Sequence, residues 1–318
     1  MDDAFFEIPG NPVPDRATVG TFIARDRRRI RYALFRATSH PVKGTIILLH
    51  GRNEFIEKYF ETTRDLTGRG FMVATLDWRG QGGSDRMLRN RDKGYVDDFH
   101  QYVRDLEQFF GEIVLPDCRG PYYVLGHSTG SLVALLAAPE MTNRVNRMLL
   151  CAPLLGLEGL PVSMATLQRV AGALYVLGLG SMYLAGGPRP RETKPFATNK
   201  LTTDPRRYAR NAQLCAAHPH LALGGPTVSW IRAACMAIDR VEDPAFMARI
   251  QIPILFVAAG ADEVVSTRAT EAYARLLKTG SLLTIDGARH EIWQEADIYR
   301  EQLLAAFDAF IPGSDPTV

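Results

Sequence analysis

Two kinds of apolar pattern alternate along most of the chain. One is a short unbroken run closed by glycine or proline, as in GTIILLHG from Gly44 to Gly51; it fits a parallel strand buried on both faces. The other spaces apolar residues at helical intervals, as Phe55, Ile56, Tyr59, Phe60, Thr63 and Leu66 do before Gly70 ends the pattern. FMVATL, leading into the glycine-rich turn DWRGQGGS, predicts a second strand. A helix is predicted over Tyr95 to Val114, where Phe99, Tyr102, Val103, Leu106, Phe109, Phe110 and Ile113 share a face and Pro116 stops it. YYVLG, RMLLCAP, IPILFVAAG and SLLTID predict further strands. Helices are expected over SLVALLAA, over Ala269 to Leu277, and over Ile292 to Phe310 with Leu303, Leu304, Phe307 and Phe310 inward. Ahead of this series, Ala17 to Phe35 alternates basic and apolar residues, which predicts an antiparallel hairpin arm. Its arginines (RDRRRIRYALF) read as a solvated strand face rather than a binding patch.

Strand and helix alternating from Gly44 onward predict an α/β fold: a mostly parallel sheet with helices on both faces. One interval breaks the rhythm. Between Pro153 and about Arg249 there are prolines, glycines and short helical patterns but no clear buried strand. A stretch of that size is too long for a plain loop. It is read as a mostly helical insertion over the sheet, dividing the chain into a core of residues 1–153 and 250–318 and an insertion of residues 154–249.

Composition narrows the function classes. Of 318 residues 46% are hydrophobic, enough for a sizeable core. The 37 basic side chains are nearly balanced by 35 acidic ones, leaving a formal charge of +2 and no case for nucleic acid as a partner. Cys118, Cys151, Cys215 and Cys235 are far apart and have no metal-ligand spacing. They are expected to be buried free thiols in a reducing compartment. The start, MDDAFFEIPGNPVPD, does not resemble a secretory leader, so a cytoplasmic location is expected.

The candidate chemistry centres on YYVLGHSTGS, where Ser128 stands between Gly126 and Gly130 directly behind an apolar run. A serine hydroxyl is a poor nucleophile at neutral pH, and needs a base within hydrogen-bond reach and a group to orient that base. In a parallel sheet such parts meet at the carboxyl ends of the strands. Gly-x-Ser-x-Gly between strand and helix is the setting in which a sharp bend lifts the hydroxyl. Asp262 follows the strand IPILFVAAG, and His290 follows SLLTID. Of the seven histidines, His290 alone holds such a position downstream of the serine; His218 and His220 fall within the insertion. Glu263 competes with Asp262 for the acid role, while Asp286 is too near His290 in sequence to be its orienting partner. Two backbone N–H groups are expected to face the developing oxyanion, those of Thr129 and Arg52. His50 and His127 are read as structural supports. The Arg52 side chain is either an anchor for a phosphate or carboxylate or, the preferred reading, an outward salt-bridge partner of Glu54.

HGRNEF, DWRGQGGS, GHSTG, GADEVV and GARHEIWQE resemble the corresponding motifs of the α/β-hydrolase superfamily, most nearly its monoglyceride-lipase and lysophospholipase branch. The resemblance runs from about Gly44 to Phe310, with a poor match in the middle. It implies the α/β-hydrolase fold, with Ser128 as nucleophile, Asp262 as acid, His290 as base, Arg52 and Thr129 as oxyanion donors, and no metal or organic cofactor. DWRGQGGS is similar to a family loop of mainly structural role. Ser131 departs from the family's usual second glycine, and Arg52 stands where small residues are common. The serine argues against the relatives that use an aspartate nucleophile.

The insertion lies where this fold carries a lid. Its uncharged run from Val170 to Gly187 approaches the length of a membrane span. As a span it would leave Ser128 on one side of a bilayer and Asp262 with His290 on the other, so the lid reading is preferred. Gly172, Gly178, Gly180, Gly186 and Gly187 weaken any helix there. Leu174, Leu177, Met182 and Tyr183 are the candidate substrate contacts. They and their apolar neighbours are expected to line an acyl-chain site, to meet a lipid surface transiently, or to pack the lid onto the core. The expected reaction is hydrolysis of a long-chain acyl ester through an acyl-enzyme. The alternatives are a small-ester esterase or a peptidase, the latter needing an acidic amine site for which Glu158, Glu192, Asp204 and Asp239 are candidates.

Overall fold

The computed structural model describes residues 4–188 and 194–313. Its strands are β1 (Ala17–Ile23), β2 (Arg29–Phe35), β3 (Gly44–Leu49), β4 (Phe71–Leu76), β5 (Tyr122–His127), β6 (Val145–Cys151), β7 (Ile254–Ala259) and β8 (Gly280–Ile285). They form an eight-stranded sheet in the order β1-β2-β4-β3-β5-β6-β7-β8. The first two strands form the antiparallel hairpin and β2 pairs antiparallel with β4; from β4 to β8 every pairing is parallel.

The helices are α1 (Phe60–Gly68), α2 (His100–Phe109), α3 (Leu115–Asp117), α4 (Thr129–Met141), α5 (Met164–Val176), α6 (Pro205–Ala217), α7 (Val228–Glu242), α8 (Pro244–Met247), α9 (Thr267–Leu276) and α10 (Asp297–Phe310). The unbroken apolar strands feed two cores at once, because successive side chains leave a strand on opposite faces. Ile47 and Leu49 of β3, and Ile254 and Phe256 of β7, point into the face shared with α2, α4, α7 and α9. Ile46 and Leu48, and Leu255 and Val257, point into the face covered by α1 and α10. Burying each such side chain contributes about 2 kcal/mol, which is why these runs are apolar but for Thr45 and Thr75.

The structure departs from the sequence expectations at four places. Residues Tyr95 to Phe99 are irregular rather than helical, and α2 starts only at His100. Their carbonyls are taken by the insertion, with Thr227 Oγ1 donating to Gly94 O and Ser229 Oγ to Val96 O, both at 2.8 Å. Pro116 does not stop the helix. A widened turn over Phe110–Val114 precedes it, and the helix runs on to Asp117, a widening that accommodates a residue without an N–H. The closing helix is split into a short turn, Ile292–Gln294, and α10. Between them the fully buried Glu295 turns inward to accept the N–H groups of Arg289 and Thr203, each at 2.8 Å. Finally, Arg31 of the basic hairpin is not solvated. It is buried and paired with Glu57 and Asp77.

Between β6 and β7 the described residues form helices α5 to α8 and no strand longer than an isolated bridge. The apolar run from Val170 is helical only to Val176, because Gly178 takes φ +78°. The N–H of Leu179 returns to Leu174 O and that of Gly178 to Tyr175 O, the pattern by which a left-handed glycine closes a helix. Among the described residues no helix is long and apolar enough to cross a membrane.

Candidate active site

Ser128 lies at the junction of β5 and α4 with φ +51° and ψ −112°. This backbone region is costly for a residue with a Cβ. Its neighbours are small for steric reasons. A Cβ on Gly130 would stand 2.1 Å from Leu49 O, and one on Gly126 would stand 2.9 Å from Ser131 Cα. The two glycines thus let α4 start hard against the ends of β3 and β5. Ser128 is held in the bend by its own N–H donating to Cys151 O at 3.0 Å and by its carbonyl accepting from Ser131 and Leu132.

The ends of β7 and β8 bring two distant residues to this bend. His290 Nε2 is 3.1 Å from Ser128 Oγ, and its Nδ1 is 2.8 Å from Asp262 Oδ2. Asp262 Oδ1 accepts from the N–H groups of Val264 and Val265, at 2.7 and 3.0 Å. Burial alone would push this carboxyl up. The adjacent imidazole and the two backbone donors outweigh it and hold the group below its ordinary value. Glu263, the sequence competitor, points outward to Lys200 at 3.1 Å. The array can therefore pass a proton from hydroxyl to imidazole while a charged carboxylate faces the far ring nitrogen.

The loop after β3 faces Ser128. A Cβ on Gly51 would come within 3.3 Å of Ser128 Cβ and 2.8 Å of Glu54 Oε2. The loop is pinned on both sides of Arg52, with Gly51 N–H donating to Glu54 Oε2 at 2.5 Å and Asn53 N–H to Gln81 Oε1 at 2.8 Å. Thr129 opens α4, so its N–H belongs to the helix turn that lacks intrahelical partners. The Arg52 side chain does not pair outward with Glu54. Its guanidinium lies over the Trp230 ring at 5.3 Å and donates to Gly224 O at 2.7 Å, because Glu54 is already claimed from the other side.

That claim is a buried network the sequence did not reveal. Glu54 Oε2 also accepts from Tyr59 at 2.8 Å and faces His127 Nδ1 at 2.9 Å, with Lys58 beside its other oxygen at 3.4 Å. His127 Nε2 faces His290 O at 3.1 Å. Both partners of His127 are acceptors, so both ring nitrogens carry protons. Burial would push this imidazole down, but the charge of Glu54 wins and raises it. Burial likewise would push the Glu54 carboxyl up, yet His127 and Lys58 hold it well below its ordinary value. Glu54 and His127 thus tie the Gly51 loop to the carbonyl of His290. His50 is wholly buried against Trp78, its Nδ1 2.8 Å from Gly51 O.

The remaining sequence candidates are dispersed. Leu174 packs on the core, whereas Leu177 and Met182 are 71% and 51% exposed. Tyr183 lies under Lys93, whose Nζ is 5.2 Å from the ring centroid. Asp204 caps α6, accepting from the N–H groups of Arg206 and Arg207. Asp239 takes Gln168 Nε2, Glu158 is exposed, and Glu192 lies outside the described residues.

This sheet order, with the nucleophile-type bend behind β5, is the α/β-hydrolase fold. The family model described as serine aminopeptidase, S33 matches residues 40–297, and the chain belongs to that family. It is 31% identical to lysophospholipase L2 of Escherichia coli strain K12 over 97% of this chain and 92% of that one. With the monoglyceride lipase of Homo sapiens it shares 27% identity over 80% of this chain and 77% of the other. Among solved structures, a soluble variant of monoglyceride lipase from Saccharomyces cerevisiae, in complex with a substrate analog, superposes with TM-score 0.72. The identity is 19%, over 96% of this chain and 97% of that one.

Proposed function

We propose that the protein is a serine hydrolase cleaving carboxylic esters of long-chain acyl lipids, of the lysophospholipase or monoacylglycerol-lipase type. The observation that carries the reading is the unbroken path from Ser128 Oγ through His290 to Asp262, at 3.1 and 2.8 Å. His290 takes the Ser128 proton as the oxygen attacks the ester carbonyl. The N–H groups of Arg52 and Thr129 receive the oxyanion. Collapse of the adduct expels the alcohol, protonated by His290, and leaves an acyl-serine. His290 then deprotonates water, which attacks the acyl carbon and releases the fatty acid and Ser128. Asp262 holds the imidazole tautomer and stabilises its cation.

The lipid class is favoured by the names of the similar proteins and by the apolar side chains that α5 and its flanks present to solvent: Val162, Val170, Val176, Leu177 and Met182. We take this face to be the lid surface, part of a lid of residues 154–249, that rests transiently on a lipid aggregate. The cytoplasm, with peripheral membrane contact, is the matching location. The family's peptidase description finds little support in the insertion's acids, since Asp204 and Asp239 are engaged as a helix cap and with Gln168. A fluorophosphonate probe is expected to label the wild type and to leave Ser128→Ala unlabelled. A panel of monoacylglycerols, lysophospholipids, short esters and amino-acid anilides, with Ser128→Ala as blank, tests the substrate class. Equal labelling of both proteins, or turnover of anilides alone, overturns the reading.

A further inference from the structure

Three strand ends that carry parts of the proposed reaction meet on one buried pair, Glu54 and His127. Glu54 belongs to the loop after β3, which holds the peptide of Gly51 and Arg52. His127 ends β5 and is covalently joined to Ser128. Its Nε2 reaches the carbonyl of His290, in the loop after β8, at 3.1 Å, and its Nδ1 is 2.9 Å from Glu54 Oε2. The packing is close. A Cβ on Gly51 would stand 2.8 Å from Glu54 Oε2, 3.1 Å from His127 Nδ1 and 3.3 Å from Ser128 Cβ. The rings of His127 and His290 lie 4.9 Å apart between centroids.

The surroundings fix the charge of this pair. Lys58 stands between two carboxylates, 3.4 Å from Glu54 and 3.0 Å from Glu291. With His127 protonated, Glu54 and Glu291 are balanced by Lys58 and His127. With His127 neutral, one negative charge would be left over among groups that are all buried, which is costly. A neutral imidazole also has a single ring proton, so it could donate to Glu54 or to His290 O but not to both. The titratable groups that face His127 are Glu54, Lys58 and Tyr59 from the segment after β3, and His290 and Glu291 from the loop after β8. His50 acts on Glu54 and itself lies 3.5 Å from Asp77. The two loops are joined a second time where Gln294 Nε2 donates to Lys58 O at 2.9 Å.

We propose that Glu54 and protonated His127 are positioning residues, a clamp that holds the oxyanion loop and the His290 loop in register, so that turnover is full only while His127 keeps its proton. The inference rests on the ester-hydrolase reading above. Neither side chain belongs to the path from Ser128 Oγ through His290 to Asp262. Glu54 acts through the N–H of Gly51, and His127 through the carbonyl of His290. A misplacement of about 1 Å in either loop would cost up to about 100-fold in rate. Burial pushes the His127 imidazole down, and the charge of Glu54 outweighs this and raises it. The clamp is therefore complete below the ordinary imidazole range and opens as pH climbs through the raised value. Tyr59 titrates later, since burial and Glu54 push its phenol well above its ordinary value.

The test follows kcat and KM for a monomeric short ester against pH, with active sites counted by the fluorophosphonate probe so that unfolded protein does not enter the rate. Glu54→Gln keeps the size of the side chain and removes its charge. It is expected to lower kcat by about tenfold with KM within about twofold, and to move the alkaline limb of kcat down by about one pH unit or more. A scaffold role alone would reduce the count of active sites and leave that limb in place. His127→Gln has no proton to lose there, so its kcat should be low and the limb absent. A measurement on wild type needs no variant to fold. Nuclear magnetic resonance of nitrogen-labelled histidine should show one imidazolium with both ring N–H groups protected at about pH 8, where an ordinary histidine is neutral. Absence of that imidazolium, or a Glu54→Gln enzyme with wild-type kcat and an unmoved limb, overturns the clamp and leaves ester hydrolysis standing. Failure of wild type to cleave any ester overturns the parent reading instead.

Discussion

The interval between β6 and β7 contains two regions that no pattern in the chain separates. The earlier one, Met164 to Pro188, is built on α5 and shows Val170, Val176, Leu177 and Met182 to solvent. Its polar contacts run mostly to the start of α7 rather than to the core: Leu184 N–H donates to Pro226 O, and the N–H groups of Gly225, Val228 and Ser229 donate to Gly187, Met182 and Gly180 O, while Tyr175 reaches Asp97 of the core at 3.1 Å. The later one, Asn199 to Met247, is bolted to the core. Arg207 bonds Glu61, Asp204, Asp297 and the carbonyl of Glu295. Glu291 N–H donates to Leu201 O at 2.8 Å, and Arg289 reaches Asn199 O at 3.0 Å. Residues 289, 291 and 295 surround His290. The later region is thus a buttress for the His290 loop, while the earlier one has the low polar anchoring to the core from which moving elements are drawn. Any opening of this interval is expected to run through the α5 half.

The largest effect should come from unbolting the buttress. Arg207→Ala leaves Glu61 with Arg210, takes the guanidinium from Asp204 and removes the donor to Glu295 O. It is expected to cost about 2–4 kcal/mol of stability, because a mostly buried cation leaves its acids behind. It should also lower kcat on a monomeric short ester by about tenfold as the His290 loop loosens. Arg207→Lys keeps charge without the fork and should fall between. Urea midpoints and single-substrate kinetics check both. A variant with full kcat would break the assignment of this half to the His290 loop.

Next in size is the seam between the halves. A Cβ on Gly225 would stand 1.8 Å from Ala185 O, so Gly225→Ala must push one backbone off the other, at about 2 kcal/mol. Hydrogen exchange should rise in α5 and at Leu184, with the Asn199 to Ala217 segment unchanged. Equal loosening of both segments would make the insertion one unit.

Acid sharpens the contrast further. Burial would push the Glu61 carboxyl up, but Arg207 and Arg210 outweigh it and bring it from 4.5 down to about 2. A depressed folded value means that its stabilisation is complete above the ordinary carboxylate range and is lost as pH falls through about 2. Between pH 4.5 and about 2 the buttress should therefore lose protection against exchange. Among its described residues the α5 half has no arginine–carboxylate pair to the core, meeting Asp97 through the Tyr175 hydroxyl instead, and should change less over the same window.

How much of this was legible varies with the physics involved. The strands were readable because a strand buried on both faces is nearly all apolar, Thr45 and Thr75 being exceptions, and the order of Ser128, Asp262 and His290 follows from where strands end. The start of α2, by contrast, is set by Thr227 and Ser229, more than a hundred residues away, and no local pattern signals that. Arg31 looked like part of a solvated stripe because its partners Glu57 and Asp77 come from two other elements. The pairing of Arg52 with Glu54 was assumed from proximity in sequence. It failed because His127, remote in sequence, takes the carboxylate first, and this pair then links the Gly51 loop to His290. A signal for it existed in the two histidines, His50 and His127, placed beside glycines at adjoining strand ends, but nothing in the chain names their partner.

The smallest effect on stability is expected on the exposed α5 half, and there it separates folding from function. Val176 and Leu177 are 85% and 71% exposed. Replacing both with serine removes little buried area, so stability should stay within about 0.5 kcal/mol. Turnover of a monomeric short ester should also hold, since neither side chain touches the Ser128 array. Only hydrolysis of substrate presented in vesicles should fall, by several-fold, because each lost side chain subtracts apolar area that would otherwise enter the lipid surface. A matched fall on monomeric and vesicle substrates would place these residues in the acyl site instead, and the division of the insertion into a lipid-facing half and a buttress would have to be redrawn.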